Sequence, residues 1–377
     1  MKICLFTAHS PIGGGGAVIL RSLVKHLPGS NITWKYISNQ PTAGYEAGYM
    51  GTGFMGEGFI SAITSTYKML ADQSCPQVDQ LVKRLLTEDC DAYWIVSHNE
   101  GLRTALELTR VQKKRPVHLT IHDDWSGALA QRSLRYRFFS TIAAKLTLKT
   151  LKSVNSCDVI SRGMKAYYES LGGKNLKVCH RYLPLDTLGL KKNHQQTHEI
   201  KIGHIGSIYD QRDMFKFLFL IRAYAKIKDL PFSLHLWGFQ MKGLKIPSAL
   251  KAHIHFHQDL PEEAAIQELK KCSFVYAMYP MSKGMRTFTQ TSLPTKLSTY
   301  VQTGLPIFGH GPSASTLSEF LRSTGTGSLW SCGHQIEGFK VLKEVLEVPI
   351  GEERFRAARN QYFGEENLHV LKNAFLF

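Results

Sequence analysis

The chain has 377 residues, 43% hydrophobic and 11% aromatic, which exceeds one ordinary core and suits two packed domains. Its formal charge of +16 leaves anionic membrane surface, nucleic acid and phosphorylated substrate as partner classes. No apolar run approaches the length of a bilayer, and seven dispersed cysteines without a C-x-x-C pair argue against structural zinc and for reduced thiols in the cytoplasm.

Lys2–Thr7 is an apolar strand. His9, Pro11 and the following glycines interrupt it too early for a signal peptide, so the opening reads as a buried strand. Gly13, Gly14, Gly15 and Gly16 come next, before a helix from Ala17 to His26, and such glycines let a ligand approach backbone near a helix start. The run is not G-x-G-x-x-G and no acid follows at the ribose-binding spacing, so nicotinamide is not expected. Ile32–Ile37 reads as a strand, Thr42–Gly58 as a mobile glycine-rich loop, and helices follow near Ile60–Leu70 and Val78–Leu86. Asp89-Cys90-Asp91 has the spacing of a D-x-D metal motif but precedes the strand Tyr93–Val96 and reads as a polar turn, so no metal is expected. Val117–Ile121, a weaker Val159–Ile160 and the helix Met164–Ser170 complete an alternation that predicts a parallel, doubly wound sheet.

His122-Asp123-Asp124-Trp125 stands just past the strand Val117–Ile121, where open α/β sheets bind ligands. His122 and Asp123 are the catalytic candidates, suited to orienting a hydroxyl, stabilising charge or moving a proton. From Ser126 to Ser153 there is no acid, while Arg132, Arg135, Arg137, Lys145, Lys149 and Lys152 alternate with Phe138, Phe139 and Ile142. That mixture suits an anionic membrane surface, with a solvated helix face as the plainer reading; no nucleic-acid module is visible.

A polar stretch, 186–199, reads as a linker. A second α/β series follows: strand Lys201–Ile205, helix Met214–Ile227, strands Ser233–Trp237 and His253–Phe256, helix Glu262–Lys271 and strand Phe274–Ala277. Ser292–Pro312 then reads as a cap at Ser292, Pro294 in a first turn, a helix over Lys296–Thr303, a stop at Gly304 and the buried strand Leu305–Phe308. Free N–H groups and Lys296 at that helix start make an anion site. Glu352–Phe377 looks helical.

The pattern P-x-K-L-x-x-Y-x-x-x-G-L-P over Pro294–Pro306 resembles the donor-sugar half of GT-B glycosyltransferases, most closely the large retaining family with Glu-x7-Glu before a G-x-P strand. The resemblance implies an α/β GT-B fold: residues 1–185 as an acceptor-side Rossmann-like domain, 200–360 as a nucleotide-sugar domain, and 361–377 as a helix crossing back. The active site would then lie in the cleft between the domains. It implies a metal-independent hexosyltransferase of polysaccharide biosynthesis, with a nucleotide-diphosphate sugar as substrate, no separate cofactor, and a saccharide or lipid-linked acceptor. Such a protein would be cytoplasmic or peripheral on the inner membrane face. By the same resemblance Gly14, Gly15, Gly206, Ser207, Arg212, Lys283, Arg286, Lys296 and Thr299 line the donor. Arg212 stands near the family's lysine, where a cation at a helix start is disfavoured without an anion. Thr299 and Thr291 replace the two glutamates, which leaves a non-catalytic GT-B glycan- or partner-binding protein, or an epimerase or phosphorylase, as alternatives.

Overall fold

Short strands, most of them rich in apolar residues and followed by a turn and a helix, build two parallel sheets in the computed structural model, which describes residues 1–53, 59–71, 75–132, 134–187, 198–239, 245–331 and 333–376. The first sheet contains β1 (Lys2–Thr7), β2 (Asn31–Tyr36), β3 (Ala92–Val96), β4 (Val117–Ile121), β5 (Ser156–Val159) and β6 (Leu176–Val178), in the order β2-β1-β3-β4-β5-β6. The second contains β7 (Ile200–Ile205), β8 (Phe232–Trp237), β9 (Ile254–His257), β10 (Phe274–Met278), β11 (Ile307–His310) and β12 (Gly327–Trp330), in the order β12-β11-β10-β7-β8-β9. Every pairing is parallel. The winding direction reverses between β1 and β3 and between β7 and β10, and such switch points open crevices at the carboxyl ends of strands.

The chain divides into two compact units: residues 1–182, 284–292 and 365–377 form the first, 183–283 and 293–364 the second. In the first, β3 and β4 are buried along their whole length; β3 reads as a continuous apolar run, while β4 also buries His118 and Thr120. Burial of Phe6, Trp94, Ile95 and Leu119 contributes about 1.5–3 kcal/mol per side chain. In the second, Phe217 stacks on Tyr276 with centroids 4.0 Å apart, beneath Phe308.

The tail is two helices, Glu352–Phe363 and Glu366–Phe375, instead of one. Gly364 breaks it in an extended conformation, where a Cβ would come 2.5 Å from the Asn360 carbonyl oxygen. The earlier helix belongs to the second unit, with Arg359 donating to the Leu183 carbonyl. The later one belongs to the first: Phe375 lies 5.3 Å from the His118 ring and 6.0 Å from that of Trp94.

Other local expectations need correction. Ser292 does not cap the helix Lys296–Thr303; it ends the short helix Arg286–Thr291, and Thr295 precedes the later helix. Residues 42–53 are anchored to β2, through Met50 N donating to Tyr36 O at 2.8 Å and Tyr45 packed edge-on to Trp34. The remainder of the Thr42–Gly58 segment, and 188–197 of the linker, lie outside the described residues.

Candidate functional site

At the first unit's switch point three histidines gather. His9 follows β1, His98 follows β3 and His122 follows β4, and these strands are neighbours. The His9 and His98 rings lie 5.6 Å apart. The glycine run begins the helix Gly14–His26, with Gly14 at φ 76°. A Cβ on Gly16 would lie 3.0 Å from His122 Nδ1 and 3.5 Å from His9 Nε2, so the absent side chain lets this backbone reach the imidazoles. Gly14 and Gly15 thus open the same helix that Gly16 carries to the histidines.

Burial and the neighbouring rings lower the His122 pKa to about 3 and the His9 pKa to about 4, so both are neutral near pH 7. His122 is buried, with 8% of the residue exposed, and its Nε2 and His9 Nδ1 have no hydrogen-bond partner among the described residues. Orphaned buried nitrogens of this kind are what a ligand hydroxyl satisfies. Asp123 is solvent-accessible, and desolvation still raises its carboxyl above the usual range. Asp124 plays a different part. It accepts from Ser126 Oγ at 2.9 Å, Gly127 N at 2.7 Å and Tyr168 Oη at 2.9 Å, and so caps the helix Trp125–Arg132.

In the second unit β7 is followed by Gly206, at φ 73°, which turns the chain to the exposed Ser207. Lys296, at the start of the helix Lys296–Thr303, donates to Ser207 O at 2.9 Å and meets His204 Nε2 at 3.2 Å. His204 Nδ1 donates to Tyr276 O at 2.8 Å, so Nε2 is the bare nitrogen that accepts from lysine. Burial brings the His204 pKa down to about 3 and the Lys296 pKa to about 7. The Lys296 ammonium also lies 5.5 Å from the Tyr209 ring centroid. The expected array of free amides is smaller than the sequence suggested: Leu297 N and Ser298 N already donate to Pro294 O and Thr295 O.

Thr299 is buried and donates to Glu262 Oε1 at 2.9 Å. Gln302 Nε2 donates to the same oxygen at 3.3 Å. A carboxylate therefore stands beside position 299, supplied by the helix Glu262–Leu269. Among the described residues no carboxylate accepts from Thr291; its hydroxyl donates back to Thr287 O at 2.8 Å.

Arg212 is the clearest departure. Its side chain is 86% exposed and leans on Asp210 at 3.7 Å, while Asp210 caps the helix Gln211–Lys228 through Arg212 N. Asp210 and Asp213 already answer the positive end of this helix, so no missing anion is required beside the arginine. Lys283 and Arg286 are exposed, in a 3₁₀ turn and at the start of the helix Arg286–Thr291 instead of an irregular loop; Lys283 belongs to the second unit and Arg286 to the first. Among the described residues no group of three or more His, Cys, Asp or Glu side chains is arranged to hold a metal ion.

Sequence reasoning missed His9, His98 and Glu262. His9 and His98 are visible only once the strand order is known, and Glu262 reads as an ordinary acid in a first helical turn.

No protein-family model matches the sequence, and no curated protein matches it. Solved structures do. An α-glucosyltransferase in complex with UDP and a 13-mer DNA superposes with a TM-score of 0.59 at 12% identity, covering 99% of this chain and 98% of its own. AviGT4, a glycosyltransferase of avilamycin A biosynthesis, gives 0.56 at 14%, covering 99% and 95%. TarM of S. aureus, in a complex containing UDP, gives 0.54 at 12%, covering 80% of this chain, which spans 59% of TarM.

The fold is GT-B. Each unit described above is one of its two Rossmann-like domains. In GT-B terms the three-histidine cluster stands on the N-terminal domain, and Lys296 with Glu262 on the C-terminal one.

Proposed function

We propose that this protein is a hexosyltransferase that moves a sugar from a nucleotide-diphosphate donor to a saccharide or lipid-linked acceptor in polysaccharide biosynthesis. The transfer would proceed without metal and with retention at the anomeric carbon, in the manner of the Glu-x7-Glu family. The observation that carries this reading is Lys296, held by Ser207 O and His204 at the β7–β10 switch point of a GT-B fold. A desolvated ammonium there offsets the charge of a departing diphosphate better than one in water. Structural neighbours captured with UDP support the donor class.

Glu262, seated against Thr299, supplies a carboxylate for the ribose hydroxyls that threonine alone would hold without charge. Gly206 lets the backbone approach the phosphates, with Ser207 exposed beside it. In the first unit the glycine run and the neutral His9 and His122, with His98 beside them, would take uncharged hydroxyls, with Asp123 available for charge or proton at the reacting carbon. Titration with UDP, GDP and ADP by calorimetry tests the reading; if none binds, the donor site is wrong. Slow hydrolysis of a bound nucleotide sugar without acceptor separates a transferase from a binding protein, and consumption by inorganic phosphate would mark a phosphorylase.

For location we propose the cytoplasm, peripheral on the inner membrane face. Among the described residues no helix is long and apolar enough to cross a membrane. On the helix Leu134–Ser153 the exposed Phe138, 73% accessible, shares a face with exposed Lys145, Lys149 and Lys152. The side chains of Arg132, Arg135 and Arg137 lie outside the described set. Sedimentation with phosphatidylglycerol vesicles should capture the protein at low salt and phosphatidylcholine vesicles should not; equal partition into both removes the electrostatic argument.

A further inference from the structure

The turn between β3 and the helix Glu100–Val111 holds a strained residue. Ser97 N donates to Thr120 O at 2.9 Å, which carries the β3–β4 ladder one residue past β3. The chain then reverses, closed by Gly101 N donating to His98 O at 2.9 Å. Inside that turn Asn99 has φ 45° and ψ −117°. The left-handed region that asparagine tolerates has ψ near about +47°, so this is instead the conformation that type II′ turns give to glycine. The turn is tight on its far side as well, where a Cβ on Gly101 would lie 1.8 Å from Val96 O. A strained strand–turn–helix of this kind lifts one side chain above the end of a sheet, as the nucleophile elbow of α/β hydrolases does. Glycine would hold the turn with less strain, so the fold alone does not account for an asparagine here.

Helix capping does not account for it either. Asparagine is among the preferred N-cap residues, yet Asn99 makes no capping hydrogen bond, and its half-buried carboxamide bonds to no described residue. Its neighbourhood already holds unsatisfied groups. The ring of the adjacent His98 lies 5.6 Å from that of His9, and His9 Nδ1 and the buried His122 Nε2 have no partner among the described residues. A carboxamide adds N–H donors and a carbonyl acceptor on one planar group without adding charge. Sugar hydroxyls, which both donate and accept, are the ligand class that matches an uncharged set of this composition.

We propose that Asn99 is a specificity-determining residue for a sugar at the carboxyl ends of β1, β3 and β4, its carboxamide holding one hydroxyl of an uncharged pyranoside. The assignment deepens the hexosyltransferase reading and rests on it for the class of ligand. The strained turn serves to present the amide at the strand ends, where a relaxed helix start would commit it to capping.

Saturation-transfer NMR on the whole protein tests this, with the methyl α-pyranosides of glucose, galactose and mannose as probes. At least one should bind, and Asn99→Gly and Asn99→Ala should each weaken it by about three- to tenfold, the scale of one hydrogen bond. Among monodeoxy forms of that glycoside, one should bind the wild type with the same loss. That form should lose nothing further in either variant, because hydroxyl and carboxamide are one interaction. Stability should separate the two variants. Asn99→Gly should raise Tm by about 2–4 °C as strain is released, and Asn99→Ala should not. Glycoside binding that is absent from the wild type, or equal in wild type and both variants, overturns the proposal, and so does a lower Tm in Asn99→Gly. UDP titration of the wild type reads the donor site separately: failure there removes the hexosyltransferase reading, while the glycoside series still decides Asn99.

Discussion

Lys296 Nζ lies 3.2 Å from Nε2 of His204, whose Nδ1 is committed to the Tyr276 carbonyl. The imidazole accepts from the lysine only while it is neutral, and burial keeps it so by lowering its pKa to about 3. The amine itself is brought to about 7, so near neutrality it is divided between charged and uncharged forms.

An arriving diphosphate stabilises the ammonium, so binding should take up a proton. At pH 7.5, UDP titrations in Tris and in phosphate should give different heats, because the buffers release protons at different enthalpic cost. Affinity should fall by up to about tenfold per pH unit above 7, the limit for one linked proton. Lys296→Met should remove that dependence and weaken binding by about 1.5–3 kcal/mol. Stability has its own sign. A lysine lowered in the folded state leaves the unfolded chain holding more protons between about 7 and 10.5, so stability rises with pH across that window. Equal heats in both buffers would take Lys296 out of the phosphate's path.

Glu262→Gln keeps the shape and hydrogen-bonding capacity beside Thr299 and removes the charge. If this carboxylate holds the ribose, UDP affinity should fall about tenfold or more, the scale of a charge-assisted hydrogen bond. Affinity for 2′-deoxy-UDP should change much less. Equal losses for both nucleotides would mean that Glu262 acts only by packing its helix.

Arg212→Ala should alter nucleotide affinity by less than about threefold. Its side chain is 86% exposed, and the contact with Asp210 is a surface ion pair worth at most about 1 kcal/mol. A tenfold loss by calorimetry would restore the arginine to the donor site.

What the sequence makes legible follows from burial. Tyr93–Val96 and Val117–Ile121 announce themselves because both faces of these strands are covered, so no polar residue interrupts the first. β12 carries Gly327 and Ser328 and gives no such run; a Cβ at Gly327 would come 1.9 Å from Ile307 O, so close strand packing selects the glycine that hides the strand. The site divides in the same way. Lys296 and His122 stand where local pattern already places a helix start or a strand end. His9 and His98 join His122 only because β1, β3 and β4 are adjacent, a non-local fact of strand order. Arg212 shows the converse: the charge argument fails because Asp210, two residues away, caps the helix and meets the guanidinium.

Within the tetrad after β4, His122 and Asp124 should behave oppositely. His122→Ala should lower kcat by about 100-fold or more if the imidazole contacts the reacting sugar or acceptor, with UDP affinity little changed. Asp124→Ala removes the acceptor of three hydrogen bonds, two of them from the helix start it caps and one from Tyr168. It should cost about 2 kcal/mol or more in urea denaturation, with UDP affinity retained in the folded fraction. Acid separates the histidines further. His9 and His122 titrate at about 4 and about 3 when folded and at about 6.5 when unfolded, so the unfolded chain gains protons first as pH falls. Their contribution to stability is present above about 6.5 and drains away toward about 4. Melting curves from pH 7 to 4 should show Tm falling over that interval, and His122→Phe should flatten the slope. An unchanged slope, together with unchanged kcat in His122→Ala, would strip the residue of both roles.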